Sequence, residues 1–229
     1  SAIRHFEARP VHRPDPGPEP RHAGLACVLD GRTRTGDPRL RTALADAVVA
    51  IESLLRLRAD GQHEPVSGAL ARSTFTDMAD REWRRAMRGL YPITIMVLAL
   101  DACDELALEG QDALDRAIRA MALAAQYSIQ RPGDVVCRYD TRHLVLMLPG
   151  TDSQGAAAAA ERIRAGLAAL QIPRAGGGTV TLSAVAQVVP AEALSRGNMG
   201  LTVEALMPAL RPAQQSGGNR CVLIEARRP

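Results

Sequence analysis

The segment Arg-Pro-Gly-Asp at residues 131–134 carries two opposite charges close together. Pro132 and Gly133 favour a tight turn, which would direct the side chains of Arg131 and Asp134 outward. A guanidinium donates a fork of hydrogen bonds and a carboxylate accepts them, so the pair could hold a ligand. The same two residues could instead form a surface ion pair, which contributes well under ~1 kcal/mol.

A second group of charged residues lies between two apolar segments, at residues 134–139 and 143–148. The segments are separated by Asp140, Thr141 and Arg142 alone, and this spacing is typical of a β-hairpin. Arg142 and His143 could face an anion from the exposed turn. Polar residues on a solvated hairpin are common, however, and need no ligand.

Spacing and charge exclude several other kinds of site. Cys27, Cys103, Cys137 and Cys221 lack CxxC or Cys/His ligand spacing, so we expect buried thiols in a reducing cytosol, without metal or cofactor. The net charge of +3 comes from dispersed arginines, which favours neither nucleic acid nor a membrane but leaves small anions open. The chain lacks a run of roughly 20 apolar residues and a secretory signal pattern, so we expect a cytoplasmic protein.

The elements that would position these residues indicate one principal α+β domain. Apolar residues form 46% of the 229-residue chain, aromatic residues only 3%. Helical and strand patterns alternate after residue 70, which predicts a mostly antiparallel sheet flanked by helices, close to a ferredoxin-like core. The predicted strands are Ile93–Leu100, the two hairpin segments, Thr179–Val189 and Arg220–Glu225. The predicted helices are Asp77–Arg88, Gln111–Gln130, one capped by Asp152 or Ser153, and Thr202–Ala213.

The first 60 residues differ in character from the rest. Repeated prolines between Arg9 and Pro20 exclude helix and favour an extended, poorly packed linker, followed by a short strand at Gly24–Leu29. From Arg39 to Arg58, apolar residues recur at helical spacing. They are Leu40, Leu44, Val48, Ile51, Leu54 and Leu55. We predict a linker at 1–36, an amphipathic helix at 37–60 that packs on its own domain or dimerises, and the main domain at 61–229.

Four ordered segments resemble motifs of the GGDEF family of bacterial diguanylate cyclases. They are EPVSGALARSTF (64–75), ITIMVLALD (93–101), RPGDVVCRYDTRHLVLMLPGT with AERIR (131–151, 160–164), and VTLSAVA with ALRPAQQSGGNRCV (180–186, 209–222). The first departs from the family pattern at Ala71 and Ser73. The third is the most specific, because an R-x-x-D pair, the signature turn, an apolar strand and LPGT are all in register. The resemblance implies a nucleotidyl-cyclase-like GGDEF fold.

The family's Gly-Gly-Asp-Glu-Phe signature is replaced throughout. Its five positions hold Asp140, Thr141, Arg142, His143 and Leu144. Cyclases of the family join two GTP molecules across a dimer and need a divalent cation held by carboxylates. With Arg142 and His143 at the acidic positions, Asp101 is left as the sole counterpart of the family's metal-binding aspartates. The resemblance therefore implies a degenerate cyclase that is not an enzyme.

Other positions agree with lost substrate recognition. The family's guanine-reading Asn corresponds roughly to Glu109, and Gln214 and Gly218 stand where a phosphate-contacting Lys and an Arg are usual. In many relatives, however, the R-x-x-D pair is an inhibitory site for the product, cyclic di-GMP (c-di-GMP). Arg131 and Asp134 keep that pair, and Arg162 matches a further family arginine that reaches the same ligand.

Two functions follow as alternatives. The first is a c-di-GMP receptor that uses Arg131, Asp134 and Arg162. The second is a ligand-independent scaffold that dimerises through the Arg39–Arg58 helix and binds another signalling protein or an upstream sensor domain. Both describe a bacterial signal-transduction module without catalytic residues, and we expect a homodimer.

Overall fold

The computed structural model describes residues 5–12, 22–30, 42–52, 61–129, 131–174 and 176–224. In the first two ranges, side chains are described only at residues 9–11. The chain forms two compact units, Ser1–Gln62 and His63–Pro229. Among the described residues, no helix combines the length and the apolar character needed to cross a bilayer.

The N-terminal unit contains a two-stranded antiparallel sheet and a helix. Strand β1 (His5–His12) pairs with β2 (His22–Asp30), with Pro10 opposite Leu25. This pairing covers Arg9 to His12 of the segment predicted as an extended, poorly packed linker, and residues 13–20 of that segment lie outside the described residues. Proline is tolerated because each strand of a two-stranded sheet keeps one edge that needs no hydrogen-bond donor.

Helix α1 occupies residues 42–52, inside the predicted amphipathic segment. Leu44 and Val48 are buried, as the predicted apolar face requires, whereas Ile51 is 40% exposed. Leu40, Leu54 and Leu55 lie outside the described residues, so the full face stays a prediction.

The C-terminal unit is built on one six-stranded sheet. Its strands are β3 (Leu70–Ala71), β4 (Ile93–Leu100), β5 (Val135–Arg138), β6 (His143–Pro149), β7 (Leu182–Val189) and β8 (Cys221–Ile224). Its helices are α2 (Arg72–Gly89), α3 (Cys103–Glu109), α4 (Gln111–Ser128), α5 (Ser153–Ala169) and α6 (Met199–Gln215), with a 3₁₀ helix at Ala191–Arg196.

The strand order is β3-β5-β6-β4-β7-β8. The three inner pairings, β5–β6, β6–β4 and β4–β7, are antiparallel, and the outer pairs β3–β5 and β7–β8 are parallel. The predicted mostly antiparallel sheet with flanking helices is confirmed.

Strand β4 lies at the centre and is buried over all eight residues. Side chains alternate across a strand, so β4 feeds two cores. Met96, Leu98 and Leu100 join the core under α3, α4 and α5. Ile95 and Val97 join the core under α2, α6 and the 3₁₀ helix. Asp101 directly follows the last residue of β4, Leu100, so its position is set by a strand that is buried on both faces.

Several boundaries differ from the sequence prediction. Helix α2 begins at Arg72, five residues before the predicted Asp77, and α6 runs from Met199 through Pro208 and Pro212 to Gln215. Helix α3 was not predicted, and β7 begins at Leu182 instead of Thr179. The predicted strand Ile93–Leu100 and the N-cap Asp152 are confirmed, since the Asp152 side chain accepts a hydrogen bond from Gly155 N.

Candidate functional site

Among the described residues of the C-terminal unit, two clefts contain the residues singled out in the sequence. The first, termed the hairpin cleft, has a volume of about 430 Å³ and lies between the end of β4, α3, the β5–β6 hairpin and α6. Asp101, Asp104, Arg142 and Gln214 are among its lining residues. It contains the positions that the GGDEF resemblance assigns to catalysis.

The Asp101 carboxylate accepts three hydrogen bonds within the protein. Its Oδ2 accepts a hydrogen bond from Thr181 Oγ1 at 2.7 Å, and its Oδ1 accepts one from Ser183 Oγ at 2.6 Å. A third bond reaches Oδ2 from Asn219 N at 2.7 Å. Charge-assisted bonds to a carboxylate are about twice as strong as neutral ones, so this carboxylate is held as a structural link between β4, β7 and the α6–β8 turn.

The α6–β8 turn reaches Asp101 because residue 218 is glycine. Gly218 has a φ of +62°, and a Cβ placed there would lie 2.6 Å from Asp101 Cγ. Such a distance is shorter than any real contact, so a side chain would push the turn away from Asp101. Nearby, Gln214 Nε2 donates to Leu100 O at 3.1 Å. Of the two family positions, Gln214 therefore takes part in the protein's own hydrogen bonding, and Gly218 allows the close approach to Asp101.

The charges of the hairpin are also paired within the protein. Asp140 accepts hydrogen bonds from Arg142 N (2.8 Å) and His143 N (2.9 Å), and its carboxylate lies 2.8 Å from His143 Nδ1. These contacts hold the pKa of Asp140 below its usual range despite burial, which acts in the opposite direction. Arg142 Nη1 donates to Asp104 Oδ1 at 2.5 Å.

Arg138 stabilises the hairpin turn through two hydrogen bonds. Its Nε donates to Asp140 O at 2.8 Å, and its Nη2 donates to Thr141 O at 2.9 Å. Sequence reasoning assigned no role to this residue. Because Arg138 binds the carbonyls of residues two and three positions further along the chain, its guanidinium fixes the conformation of the turn.

A divalent cation needs several carboxylate or carbonyl oxygens at one point. The hairpin cleft does not fit this requirement. Both Asp101 oxygens accept hydrogen bonds, and the Arg142 guanidinium binds another carboxylate that lines the cleft, that of Asp104. Across the described residues, no group of three or more His, Cys, Asp or Glu could hold a metal ion.

The second cleft, termed the arginine cleft, is larger, at about 790 Å³. It lies between the end of α4, the turn before β5, the end of β6 and α5. Arg131, Asp134 and Arg162 all line it, so the structure brings together the three residues that the sequence proposed for ligand binding.

The turn at residues 131–134 closes as the Pro-Gly pair predicts. Asp134 N donates to Arg131 O at 2.9 Å, and Arg131 N donates to Asp134 Oδ2 at 3.3 Å. The Arg131 side chain is exposed and makes only long contacts, from Nη1 to Gly150 O at 3.3 Å and to Thr151 Oγ1 at 3.4 Å. Weak internal contacts leave its guanidinium available to a ligand.

Asp134 differs from the outward orientation predicted for it. Its side chain is half-buried, and its Oδ1 is enclosed without a hydrogen-bond partner among the described residues. Burial raises the pKa of Asp134, and this effect exceeds the opposing effects of the Arg131 backbone bond and of the Arg131 and Arg162 charges. A buried acceptor without a donor is unfavourable, and a ligand donor that reaches it would relieve that cost.

Arg162 extends from α5 to the end of α4. Its Nε and Nη2 donate to Ser128 O at 3.3 and 3.0 Å, which satisfies a carbonyl in the last turn of that helix. The side chain remains exposed. It therefore places a fixed positive charge in the cleft, close enough to act on Asp134.

Sequence reasoning did not identify three of the residues that shape the two clefts. Thr181 and Ser183 lie inside the quoted VTLSAVA motif, but their bonds to Asp101 cross about 80 residues of sequence. Tyr127 lines the arginine cleft at the end of α4. Its spacing of four residues before Arg131 was the signal that could have pointed to it.

Comparisons with known proteins agree with this architecture. Residues 62–220 match the sequence profile of the family described as diguanylate cyclase, GGDEF domain. No curated relative was found by sequence. The coiled coil and GGDEF domain of DgcB from Caulobacter crescentus, in complex with c-di-GMP, superimposes with a TM-score of 0.72 and 21% identity, over 82% of this chain and 98% of that one.

Two further solved structures share the fold. Diguanylate cyclase SiaD in complex with its activator SiaC, from Pseudomonas aeruginosa, gives a TM-score of 0.63 and 23% identity, over 82% of this chain and 72% of that one. The FimX GGDEF domain from Pseudomonas aeruginosa gives 0.60 and 18%, over 72% of this chain and 99% of that one. Since the family profile matches more than half of the sequence and the sheet topology agrees, this chain belongs to the diguanylate cyclase GGDEF domain family.

Proposed function

We propose that this GGDEF domain is a c-di-GMP receptor without cyclase activity. One observation carries the proposal: Arg131, Asp134 and Arg162 line one open cleft, while in the hairpin cleft Arg142 is paired with Asp104 and the Asp101 carboxylate accepts hydrogen bonds from Thr181 and Ser183. A DgcB structure of the same fold contains c-di-GMP, which supports the ligand class.

The arginine cleft offers complementary groups for this ligand. A guanidinium can donate two parallel hydrogen bonds to guanine O6 and N7. The Arg131 guanidinium makes only long contacts within the protein, so it can turn to such a ligand. The Asp134 carboxylate can accept from guanine N–H groups. Arg162, which also lines the cleft, supplies a fixed positive charge for a phosphate.

The proposed loss of cyclase activity follows from the hairpin cleft. GTP and its cation would meet Arg142 and His143 where the family signature supplies carboxylates, and the one remaining aspartate, Asp101, already accepts three hydrogen bonds. Freeing it would break contacts that connect three elements of the fold. Incubation with GTP and Mg²⁺ or Mn²⁺ tests this point: we expect neither cyclic dinucleotide nor pyrophosphate, and measurable turnover of either product would overturn it.

Calorimetric titration with c-di-GMP tests the receptor function. We expect saturable binding that weakens about 10- to 100-fold in Arg131→Ala and in Arg162→Ala, since each removes a charged hydrogen-bonding group. Arg116→Ala is the matched control, because Arg116 is exposed on α4 and does not line the cleft. An absence of heat at high micromolar ligand, or equal affinity in Arg131→Ala, would count against the receptor.

A second function, self-association through α1, is favoured by the apolar side chains on that helix. Val49 is 61% exposed and Ile51 is 40% exposed, and the DgcB structure of the same fold includes a coiled coil. We expect Val49→Glu to convert a dimer to a monomer in sedimentation equilibrium, while Ala47→Glu, exposed on the other side of the helix, leaves it unchanged. An unaltered dimer in Val49→Glu would exclude this face of α1 as the contact.

A further inference from the structure

Tyr127 stands apart from the other aromatic residues of a chain that has few. The sequence holds one Trp, three Tyr and two Phe. The remaining aromatic side chains that the structure describes are each buried or paired within the fold: Phe75, Trp83, Tyr91 and Tyr139. Tyr127 is 80% exposed, and in the described part of the chain its hydroxyl has no hydrogen-bond partner. Its ring therefore has no packing role in this unit.

Its position links it to the arginine cleft. Tyr127 lines that cleft in the last turn of α4, and the carbonyl of the next residue, Ser128, accepts the two hydrogen bonds from Arg162. The ring and the Arg162 guanidinium are thus attached to the same helical turn. A ligand that reaches Arg162 with a phosphate has the Tyr127 ring beside it.

Small residues in the cleft leave room for a flat group. Apart from Arg162, helix α5 lines the cleft with Gly155, Ala158, Ala159 and Ala165, none of which extends beyond Cβ. The cleft volume of about 790 Å³ is within the range of sites that enclose small organic ligands, roughly 300–1,000 Å³. Of the described residues that line this cleft, Tyr127 is the one aromatic, so it alone offers a π-face.

We propose that Tyr127 is a base-stacking residue, on which a purine ring of the bound nucleotide lies while Arg131, Asp134 and Arg162 hold its polar edges. The inference rests on the proposed receptor function and assigns the site a preference for purine nucleotides over anions without a base. Stacking on an aromatic side chain requires only a π-face, so it contributes affinity that the charged residues do not supply.

Substitutions at residue 127 separate stacking from simple apolar contact. We expect Tyr127→Phe to bind c-di-GMP within about twofold of the unaltered protein, and Tyr127→Leu to bind at least about fivefold more weakly. In Ala158→Leu the larger side chain would enter the cleft and weaken binding by a similar factor. Ala157→Leu is its matched control, because Ala157 is exposed on the same helix but does not line the cleft.

A spectroscopic measurement tests the ring directly. In protein labelled at its three tyrosines, saturating c-di-GMP should move one set of ring resonances upfield, and that set should be the one missing from Tyr127→Phe. Equal affinity in Tyr127→Leu, or unmoved rings while calorimetry records binding, would overturn the stacking but leave the receptor function standing. No binding by the unaltered protein would overturn both.

Discussion

The two clefts of this domain hold similar residues but treat their charges differently. In the hairpin cleft, Asp101 is bound to Thr181 and Ser183, and Arg142 is paired with Asp104. In the arginine cleft, the guanidinium groups contact only backbone carbonyls and one hydroxyl. In the first cleft Arg142 and Asp101 have partners within the fold, whereas the second keeps guanidinium donors with only long contacts and, on Asp134, one acceptor without a donor among the described residues.

The difference lies in the hydrogen-bond partners of the polar groups. A carboxylate stabilises a fold when neighbouring hydroxyl and backbone groups donate to it. A site that keeps unpaired polar groups carries an energetic cost that only a ligand offsets. Substitutions in the two clefts should therefore affect different measured quantities, the free energy of unfolding in one and the affinity for c-di-GMP in the other.

The largest effect is expected from Asp101. In Asp101→Ala, the hydroxyls of Thr181 and Ser183 and the backbone N–H of Asn219 lose their acceptor. We expect the free energy of unfolding to fall by about 2–4 kcal/mol in urea denaturation, since a buried donor without a partner, as at Ser183, costs about 1–3 kcal/mol and the less buried Thr181 and Asn219, which water can reach, add less. Affinity for c-di-GMP should stay unchanged.

Asp80→Ala controls for loss of an acidic residue as such, because Asp80 is exposed on α2. Its free energy of unfolding should change by no more than ~0.5 kcal/mol. If Asp101→Ala cost as little as Asp80→Ala, the hydrogen bonds around Asp101 would not be what fixes it. The hairpin cleft would then be open to a cation after all, and the contrast between the two clefts would disappear.

Strand β4 and the N-cap of α5 show what the sequence could predict. Seven apolar residues and Thr94 between Pro92 and Asp101 leave few alternatives to a buried strand, and Asp152 is a strong N-cap. Local signals failed where tertiary packing decides. Helix α2 begins at Arg72 after Ala71, whose side chain cannot cap a helix, so no sequence signal marks the start.

The same division applies to the site. Arg131 and Asp134 are three residues apart, and their turn is a local feature that Pro132 and Gly133 specify. The half-burial of Asp134 was not predictable, because α4 and α5 create its surroundings. Likewise, the bond between Arg142 and Asp104 joins residues 38 positions apart and depends on how α3, an unpredicted helix, packs beside the hairpin.

An intermediate effect is expected from pH acting on Asp134. Its carboxylate must be ionised to accept from guanine, and burial raises the pKa of Asp134 above the usual range. Affinity for c-di-GMP should therefore fall as pH decreases through that raised pKa, by up to about tenfold per pH unit, and the decline should begin at a higher pH than an ordinary aspartate gives. Calorimetry at a series of pH values measures it.

Asp134→Asn is the control, since it cannot titrate and should show a flat profile at lower affinity. The sign for stability is opposite. Because folding raises the pKa of this acid, the folded state gains a proton before the unfolded state does, and the contribution of Asp134 to stability increases as pH falls. A pH profile in the unaltered protein as flat as that of Asp134→Asn would mean that this carboxylate does not contact the ligand.

The smallest effect is expected from Arg142, although it occupies a signature position. The Arg142 side chain is 49% exposed and its partner Asp104 is 81% exposed, so water and salt screen the pair. Arg142→Ala should change the free energy of unfolding by no more than ~0.5 kcal/mol and leave c-di-GMP affinity unchanged. Arg131→Ala serves as the matched substitution in the other cleft, with little change in stability but a clear loss of affinity. If Arg142→Ala weakened c-di-GMP binding as Arg131→Ala does, the ligand would lie in the hairpin cleft, and the roles assigned to the two clefts would have to be exchanged.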